Sequence, residues 1–359
     1  MSLHFHRLMV REVRQETPDC VSVLFAMPEE LKEKFSFTQG QSLTLRAKVN
    51  GEELRRTYSI CSSPLDKEWR VAIKKVEGGL FSNFANSTLK AGDVLEVMPP
   101  VGNFNTPLHP QQTKHYMAFA AGSGITPVLS LIKTTLASES RSTFTLVYGN
   151  RDRQSIIFSE ALEALKNKYM ERFNLVHILS REKTDTVLHA GRINAEKLEA
   201  LKKMVDYTGI DEFFVCGPED MIFAVKDFLE SNGIDKKHVH FELFTTPGQI
   251  RKPAKAFNKK EKPVSASHIT VKLDGRSIDF SMMAGAESSI LDAALQAGAD
   301  LPYACKGGMC CTCKAKLMEG KVEMDVHWGL EEDEIKKGYI LTCQSHPVTD
   351  KVIIDFDNR

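Results

Sequence analysis

The sequence predicts a multidomain chain of mixed α+β and α/β class. It divides into a small antiparallel β-barrel over residues 1–108, a parallel-sheet α/β domain over 109–244, a linker over 245–266 and a compact C-terminal domain over 267–359. Three observations carry this expectation. The first block strings short apolar or alternating runs between Gly, Pro and Asn breaks. The second alternates buried strands with amphipathic helices. The third surrounds a cysteine-rich loop. At 359 residues the chain is also too long for one ordinary core.

In the first block, VSVLFAM, SLTLRAKV, RTYSIC, WRVAIKKV and DVLEVMPP read as closely spaced strands with little helix between them, the pattern of a small antiparallel barrel. In the second, HYMAFAAGSG, FTLVYGN, NLVHILS and EFFVCGP read as buried strands ending in small or polar residues. PVLSLIKTTLAS, SEALEALKNKYM and EDMIFAVKDFLESNG read as helices, so the sheet is expected to be parallel and covered on both faces. TTPGQIRKPAKAFNKKEKPVSAS then loses periodicity and concentrates Lys and Pro, as a linker does. Beyond it, HITVKLDGRSIDFSM reads as a hairpin around Asp274-Gly275, followed by a helix in SSILDAALQAGAD.

Cys305, Cys310 and Cys313 are spaced C-x4-C-x2-C, and Cys343 follows 30 residues after the third, the ligand spacing of a plant-type [2Fe-2S] cluster. Zinc sites favour two separated C-x2-C pairs, and the sequence has no second pair. Gly307 and Gly308 lie between the first two ligands, where the backbone must curl around sulfur without Cβ clashes. Cys311 offers an alternative register, C-x5-C-x-C, that fits no common cluster pattern, so it is expected to be a non-ligand thiol packed beside the cluster.

Apolar and charged fractions of 42% and 26% are those of a soluble globular protein. The N-terminus has no apolar signal-like core, and no run approaches a membrane span. Cys20, Cys61, Cys216 and Cys311 show no pairing pattern, so a reducing cytoplasm is the expected location, with no membrane or nucleic-acid partner. Net charge is zero, yet residues 245–266 carry six basic residues against one acidic, and 267–359 carry ten against fifteen. Such a contrast either steers a partner or is ordinary solvated surface.

The upstream motifs give the cysteine loop a context. Gly122-Ser123-Gly124-Ile125-Thr126-Pro127 sits between a strand and a helix, where glycines and free N–H groups suit a phosphate. It is G-x-G-x-x-P rather than the dinucleotide fingerprint, so alone it is a weak signal that a plain strand–helix turn also gives. Cys216-Gly217-Pro218 ends another strand, and two such turns bracket the crevice in which α/β sheets bind ligands. Arg56, Tyr58 and Ser59 lie on a strand of the first block, and Gly78, Gly79 and Ser82 follow another. Singly, these are also what a surface Arg and a core Tyr look like.

Together these motifs resemble the ferredoxin–NADP reductase superfamily over the whole chain. The resemblance implies a flavin-binding antiparallel barrel, an NADP-binding α/β domain and a C-terminal β-grasp ferredoxin. It implies that Arg56 holds the FAD pyrophosphate, that Tyr58 lies against the isoalloxazine with Ser59 near its polar edge, and that Gly78, Gly79 and Ser82 open the helix below the pyrophosphate. Gly122, Ser123, Gly124, Thr126 and Pro127 would form the pyridine-nucleotide loop, and Cys216, Gly217 and Pro218 the nicotinamide side. Cys216 is read as a shaping residue and not a nucleophile. Glu242 and Phe244 would close over the flavin. Ser180 and Arg181, assisted by Arg151, would take the 2′-phosphate, which favours NADPH over NADH.

Flavin, nucleotide and then ferredoxin is the module order of one group of oxygenase reductases. Within it, EELRRTYSIC, AAGSGITP, ADLPYACKGG and VIIDFD look like the reductases of phenylacetyl-CoA epoxidases in phenylacetate catabolism. That resemblance implies electrons passing from NADPH to FAD to [2Fe-2S] to a di-iron oxygenase subunit. The chain itself carries no Rieske C-x-H element and no di-iron E-x-x-H motif, so oxygen activation is expected on another subunit. A reductase of a Rieske-type hydroxylase of an aromatic or steroid pathway would share these motifs. So would a redox-sensing protein without turnover.

Overall fold

The computed structural model describes residues 4–244, 266–283 and 286–358. The linker expected over 245–266 lies, but for Ala266, outside the described residues. Strands β1 (His6–Thr17), β2 (Cys20–Phe25), β3 (Ser42–Val49), β4 (Glu52–Ser59), β5 (Trp69–Lys74) and β6 (Val94–Val97) form an antiparallel sheet of order β4-β3-β6-β1-β2-β5. An Ile60–Val71 bridge and a Cys61 N–H to Arg70 carbonyl bond of 2.8 Å bring its two ends together. The sheet thus curls into the expected barrel. Helix α1 (Leu80–Ser87) buries Phe81 and Ala85 against it.

All six residues of β2 are buried, because the strand is covered on both faces. One face meets the barrel core. From the other, Cys20 joins Ala72 and Cys61 in the core of the second domain. That domain runs β7 (His115–Ala121), α2 (Ile125–Ser138), β8 (Thr143–Asn150), α3 (Ser159–Lys168), β9 (Phe173–Leu179), α4 (Ala195–Leu201), β10 (Glu212–Gly217), α5 (Glu219–Ser231) and β11 (Val239–Leu243). Its sheet is wholly parallel, in the order β11-β10-β7-β8-β9. Strand order reverses at β7, so the crevice opens where Gly122 and Gly217 leave neighbouring strands. Helix α2 is buried on almost every side because it lies between this sheet and the barrel. Ser130 Oγ donates to Ser62 O at 2.7 Å, and Thr134 Oγ1 lies 2.9 Å from Ser63 Oγ.

The C-terminal domain comprises β12 (Ser267–Leu273), β13 (Arg276–Met282), α6 (Ile290–Gln296), β14 (Lys314–Glu319), β15 (Val322–Met324), α7 (Glu332–Lys336), β16 (Tyr339–Leu341), β17 (Ser345–Pro347) and β18 (Lys351–Asp355). Its mixed sheet, β13-β12-β18-β14-β16, pairs β12 and β18 in parallel and grasps α6 through Ile290, Leu291 and Ala294. Asp274 and Gly275 have φ of 52° and 70°, the two positive values a type I′ hairpin turn demands. The helix expected in SSILDAALQAGAD is shorter, starting at Ile290 behind Ser289, whose hydroxyl accepts from Asp292 N–H. The domain packs on both others: Thr312 Oγ1 lies 3.4 Å from Thr44 Oγ1, Asn103 donates to Glu334 at 3.0 Å, and Trp328 meets Phe223 edge-on at 6.2 Å.

Candidate functional site

A cavity of about 550 Å³ opens where the three parts of the chain meet, within the size range of cofactor clefts (about 300–1,000 Å³). The barrel supplies Arg56, Tyr58 and Ser59 from β4, with Gly79 and Ser82 from the start of α1. The parallel-sheet domain supplies Ser123, Thr126, Arg151, Glu242 and Phe244. The C-terminal domain supplies Cys305, Met309 and Cys310. Residues from opposite ends of the chain therefore share one wall.

The local geometry follows from the sequence. Arg56 bonds only the Arg55 carbonyl, at 2.8 Å, and has no acidic partner among the described residues, so its charge is available to an anion in the cavity. The free N–H groups at the start of α1 face the same space. Gly78 has φ of +71°, and a Cβ at Gly79 would meet Ser82 Oγ at 2.7 Å, so this turn needs both glycines. The Tyr58 ring is tilted against Phe81 at 5.7 Å, and burial pushes its phenol up. Ser59 Oγ donates to Glu242 Oε2 at 2.9 Å. Burial holds that carboxyl up at about 7, opposed by the Ser59 bond and reinforced by the nearby Cys310.

The cysteines fall in two pairs. Cys305 lies against Cys310, and Cys343 against Cys313. Charge interactions of Cys343 with Cys305 and Cys310 link the two pairs, so the loop and the distant fourth cysteine come together as an all-thiol donor set of the kind a [2Fe-2S] cluster takes. Gly307 N–H points at Cys305 Sγ from 3.2 Å and Cys310 N–H from 3.5 Å, donors of the kind that stabilise cluster sulfur. Gly308 has φ of +73°, and a Cβ there would strike Val326 at 2.7 Å. Cys311 has φ of +57° and directs its S–H to the Gly329 carbonyl, 2.7 Å away.

Residues 7–106 match the family described as oxidoreductase FAD-binding domain, 119–227 the oxidoreductase NAD-binding domain and 271–348 the 2Fe-2S iron-sulfur cluster binding domain. The chain is 46% identical to a subunit of the 1,2-phenylacetyl-CoA epoxidase of Escherichia coli (strain K12), over 99% of this chain and 98% of that one. This chain belongs to the ferredoxin–NADP reductase superfamily, among the oxygenase reductases with a C-terminal 2Fe-2S domain. The ferredoxin reductase component of 3-ketosteroid-9-alpha-monooxygenase from Rhodococcus rhodochrous is 36% identical, over 97% of this chain and 96% of its own. Phthalate dioxygenase reductase shares the fold at a TM-score of 0.58 and 23% identity, covering 98% of both chains. An intact type IV self-sufficient cytochrome P450 monooxygenase aligns at 0.69 and 21%, with this chain spanning 41% of its length. The chain is thus an electron-transferring oxidoreductase of FAD, NAD(P)H and [2Fe-2S].

Not every residue predicted for this reductase lines the cavity. Gly124 is needed for packing: a Cβ there would sit 2.0 Å from the Cys216 carbonyl oxygen, so the two nucleotide-side turns touch backbone to backbone. Gly217 is less confined, since a Cβ there would meet the movable end of Met221 at 2.6 Å and Ala121 at 3.1 Å. Gly122, at φ +54°, faces the Lys74 ammonium. Pro127 is buried inside α2, while Gly217 and Pro218 lie at the crevice lip. Cys216 is fully buried, which pushes its thiol well up. Ser180 and Arg181 are exposed at the end of β9, where their N–H groups bond the Asn150 and Arg151 carbonyls at 3.0 and 2.8 Å.

Several wall residues were missed from sequence. Lys74 ends β5 inside the cavity, its ammonium pushed down by burial and by Arg151 beside it. Val76 and Leu80 form an apolar rim. The signal for Lys74 was the outward-going end of WRVAIKK, which reads as a strand without showing which face its lysines take. Met309 was hidden between two of the cysteines expected as ligands.

Proposed function

We propose that the chain is the NADPH-dependent reductase of a phenylacetyl-CoA epoxidase complex, feeding electrons to its di-iron oxygenase subunit. The observation that carries this reading is the shared wall of the cavity. Candidate flavin residues Arg56, Tyr58 and Ser59 line the same space as Cys305 and Cys310, two of the proposed cluster ligands. FAD held there would accept the two electrons of a hydride and release them singly to a plant-type cluster of potential about −400 mV.

Each residue has a role in that frame. Arg56 and the N-terminus of α1 bind the FAD pyrophosphate, and Gly78, Gly79 and Ser82 shape that turn. Tyr58 supports the flavin ring, and Glu242 with Ser59 holds a proton at its polar edge, with Phe244 at the mouth. Ser123 and Thr126 face the nucleotide phosphates, supported by Gly122, Gly124 and Pro127, with Cys216, Gly217 and Pro218 forming the nicotinamide side. Ser180, Arg181 and Arg151 select NADPH. A carboxylate on the ribose would favour NADH, but the nearby Glu182 is held by Arg153, whose Nε is 3.3 Å away and whose N–H donates at 2.8 Å. Cys305, Cys310, Cys313 and Cys343 ligate the cluster.

Reconstitution with epoxidase oxygenase subunits tests the reading. NADPH-dependent epoxidation of phenylacetyl-CoA is expected, and its absence at high subunit concentration contradicts it. A second reading, reductase of a Rieske-type steroid or aromatic hydroxylase, is favoured by the 36% identity to a 3-ketosteroid-9-alpha-monooxygenase component. Coupling to such a hydroxylase and not to the epoxidase would select it.

A further inference from the structure

Arg55 and Arg56 are neighbours on β4, yet they serve different surfaces, because successive strand residues point to opposite faces. Arg56 turns to the cavity. Arg55 leaves the barrel and reaches the C-terminal domain, where its side chain is only 9% exposed. Its Nε donates to Glu53 at 3.0 Å, one terminal nitrogen lies 3.4 Å from the Leu301 carbonyl, and the other lies 3.4 Å from Asp300. The guanidinium stands over the Tyr303 ring at 4.5 Å and over Phe5 at 5.2 Å.

Leu301 and Tyr303 lead directly into Cys305, which lines the flavin cavity. We propose that Arg55 is a positioning residue that seats the cluster loop against the flavin cavity and so controls the rate of flavin-to-cluster electron transfer. The inference rests on the electron route proposed above. The two electrons of each NADPH hydride would leave the flavin one at a time, the cluster passing the first to the oxygenase partner before it accepts the second, with one proton released to solvent. Each transfer depends on how closely the loop is held.

The chemistry separates Arg55 from a surface ion pair. Asp300 is 85% exposed, so its pairing contributes little. The Leu301 carbonyl and the Tyr303 face ask for a planar fork that both donates and stacks, which a lysine ammonium cannot reproduce. Cation–ring contacts and a directional bond to backbone also fix orientation, which charge alone does not.

Anaerobic stopped-flow mixing of the holoenzyme with NADPH tests the proposal, following flavin bleaching and cluster reduction separately. In Arg55→Ala, cluster reduction is expected to slow about tenfold or more, on the scale by which losing an orienting contact slows a geometry-limited step. Flavin reduction should stay within about twofold, because that step uses none of the lost contacts. Asp300→Asn should match the wild type. Unchanged cluster reduction in Arg55→Ala overturns the proposal, and so does equal slowing of both phases, which would make Arg55 part of the barrel scaffold. If Arg55→Ala fails to retain FAD, Arg55→Lys decides: a selective loss in the cluster phase supports the role and no loss overturns it. A wild-type cluster that never accepts electrons refutes the route itself, a result distinct from any difference between variants.

Discussion

Arg181→Ala is expected to raise the KM for NADPH about tenfold while leaving that for NADH nearly unchanged. Arg181 and Ser180 stand at the end of β9 with their N–H groups bonded to the Arg151 and Asn150 carbonyls, which holds this turn against the Asn150-Arg151 backbone. A charge-assisted bond to phosphate is worth about 1.5–3 kcal/mol. Arg181 is exposed, so solvent screening takes the value to the lower end, about 1.4 kcal/mol or a factor of ten. NADH lacks the 2′-phosphate and loses none of this. Steady-state turnover with ferricyanide, measured with each nucleotide at low and moderate salt, reads the difference, and the NADPH penalty should shrink as salt rises. Equal changes for both nucleotides would refute the reasoning, as would a penalty confined to kcat.

Four other substitutions probe three separate parts. Cys311→Ala should retain the visible spectrum of the cluster, because its S–H is spent on the Gly329 carbonyl, whereas Cys310→Ala should lose it; the opposite pattern in absorption and iron content contradicts the ligand assignment. Gly124→Ala places a Cβ 2.0 Å from the Cys216 carbonyl oxygen, so the two turns must part at a cost of about 1–3 kcal/mol. Thermal unfolding and NADPH titration should show lower stability and weaker nucleotide binding with FAD retained, and unchanged nucleotide affinity contradicts the close-approach argument. Glu242 has its carboxyl raised from 4.5 to about 7, so the folded state holds a proton that the unfolded chain releases. Stability is therefore fully present below about pH 4.5 and falls as pH rises to about 7, by up to about 3 kcal/mol, and Glu242→Gln should flatten that slope in Tm against pH.

The parts of the fold legible in sequence were those with a strong local period. SLTLRAKV became β3 without change, and the Asp274-Gly275 turn followed from its two positive φ values. Strand β1 was not legible. HRLMVREVRQET alternates only weakly, and its place between β6 and β2 is fixed by pairing with residues far along the chain. Helix α4 buries Leu198, Leu201 and much of Lys197 in one short stretch, too little for a periodic signal. For the site, spacing carried the cysteines and the glycine turns carried the nucleotide loops. What spacing does not encode is distance between domains, so the meeting of Cys305 and Cys310 with Arg56 and Tyr58, and the reach of Arg55 to Tyr303, came only from tertiary packing.

In the proposed route, electrons cross from the flavin cavity to the cysteine cluster within this chain. An anaerobic single-turnover experiment with NADPH, read by flavin absorbance and by electron paramagnetic resonance of the frozen mixture, tests it directly. Flavin bleaching is expected first, and the signal of a reduced [2Fe-2S] cluster then grows as flavin absorbance partly recovers. A fully reduced flavin beside a cluster that stays oxidised would contradict it.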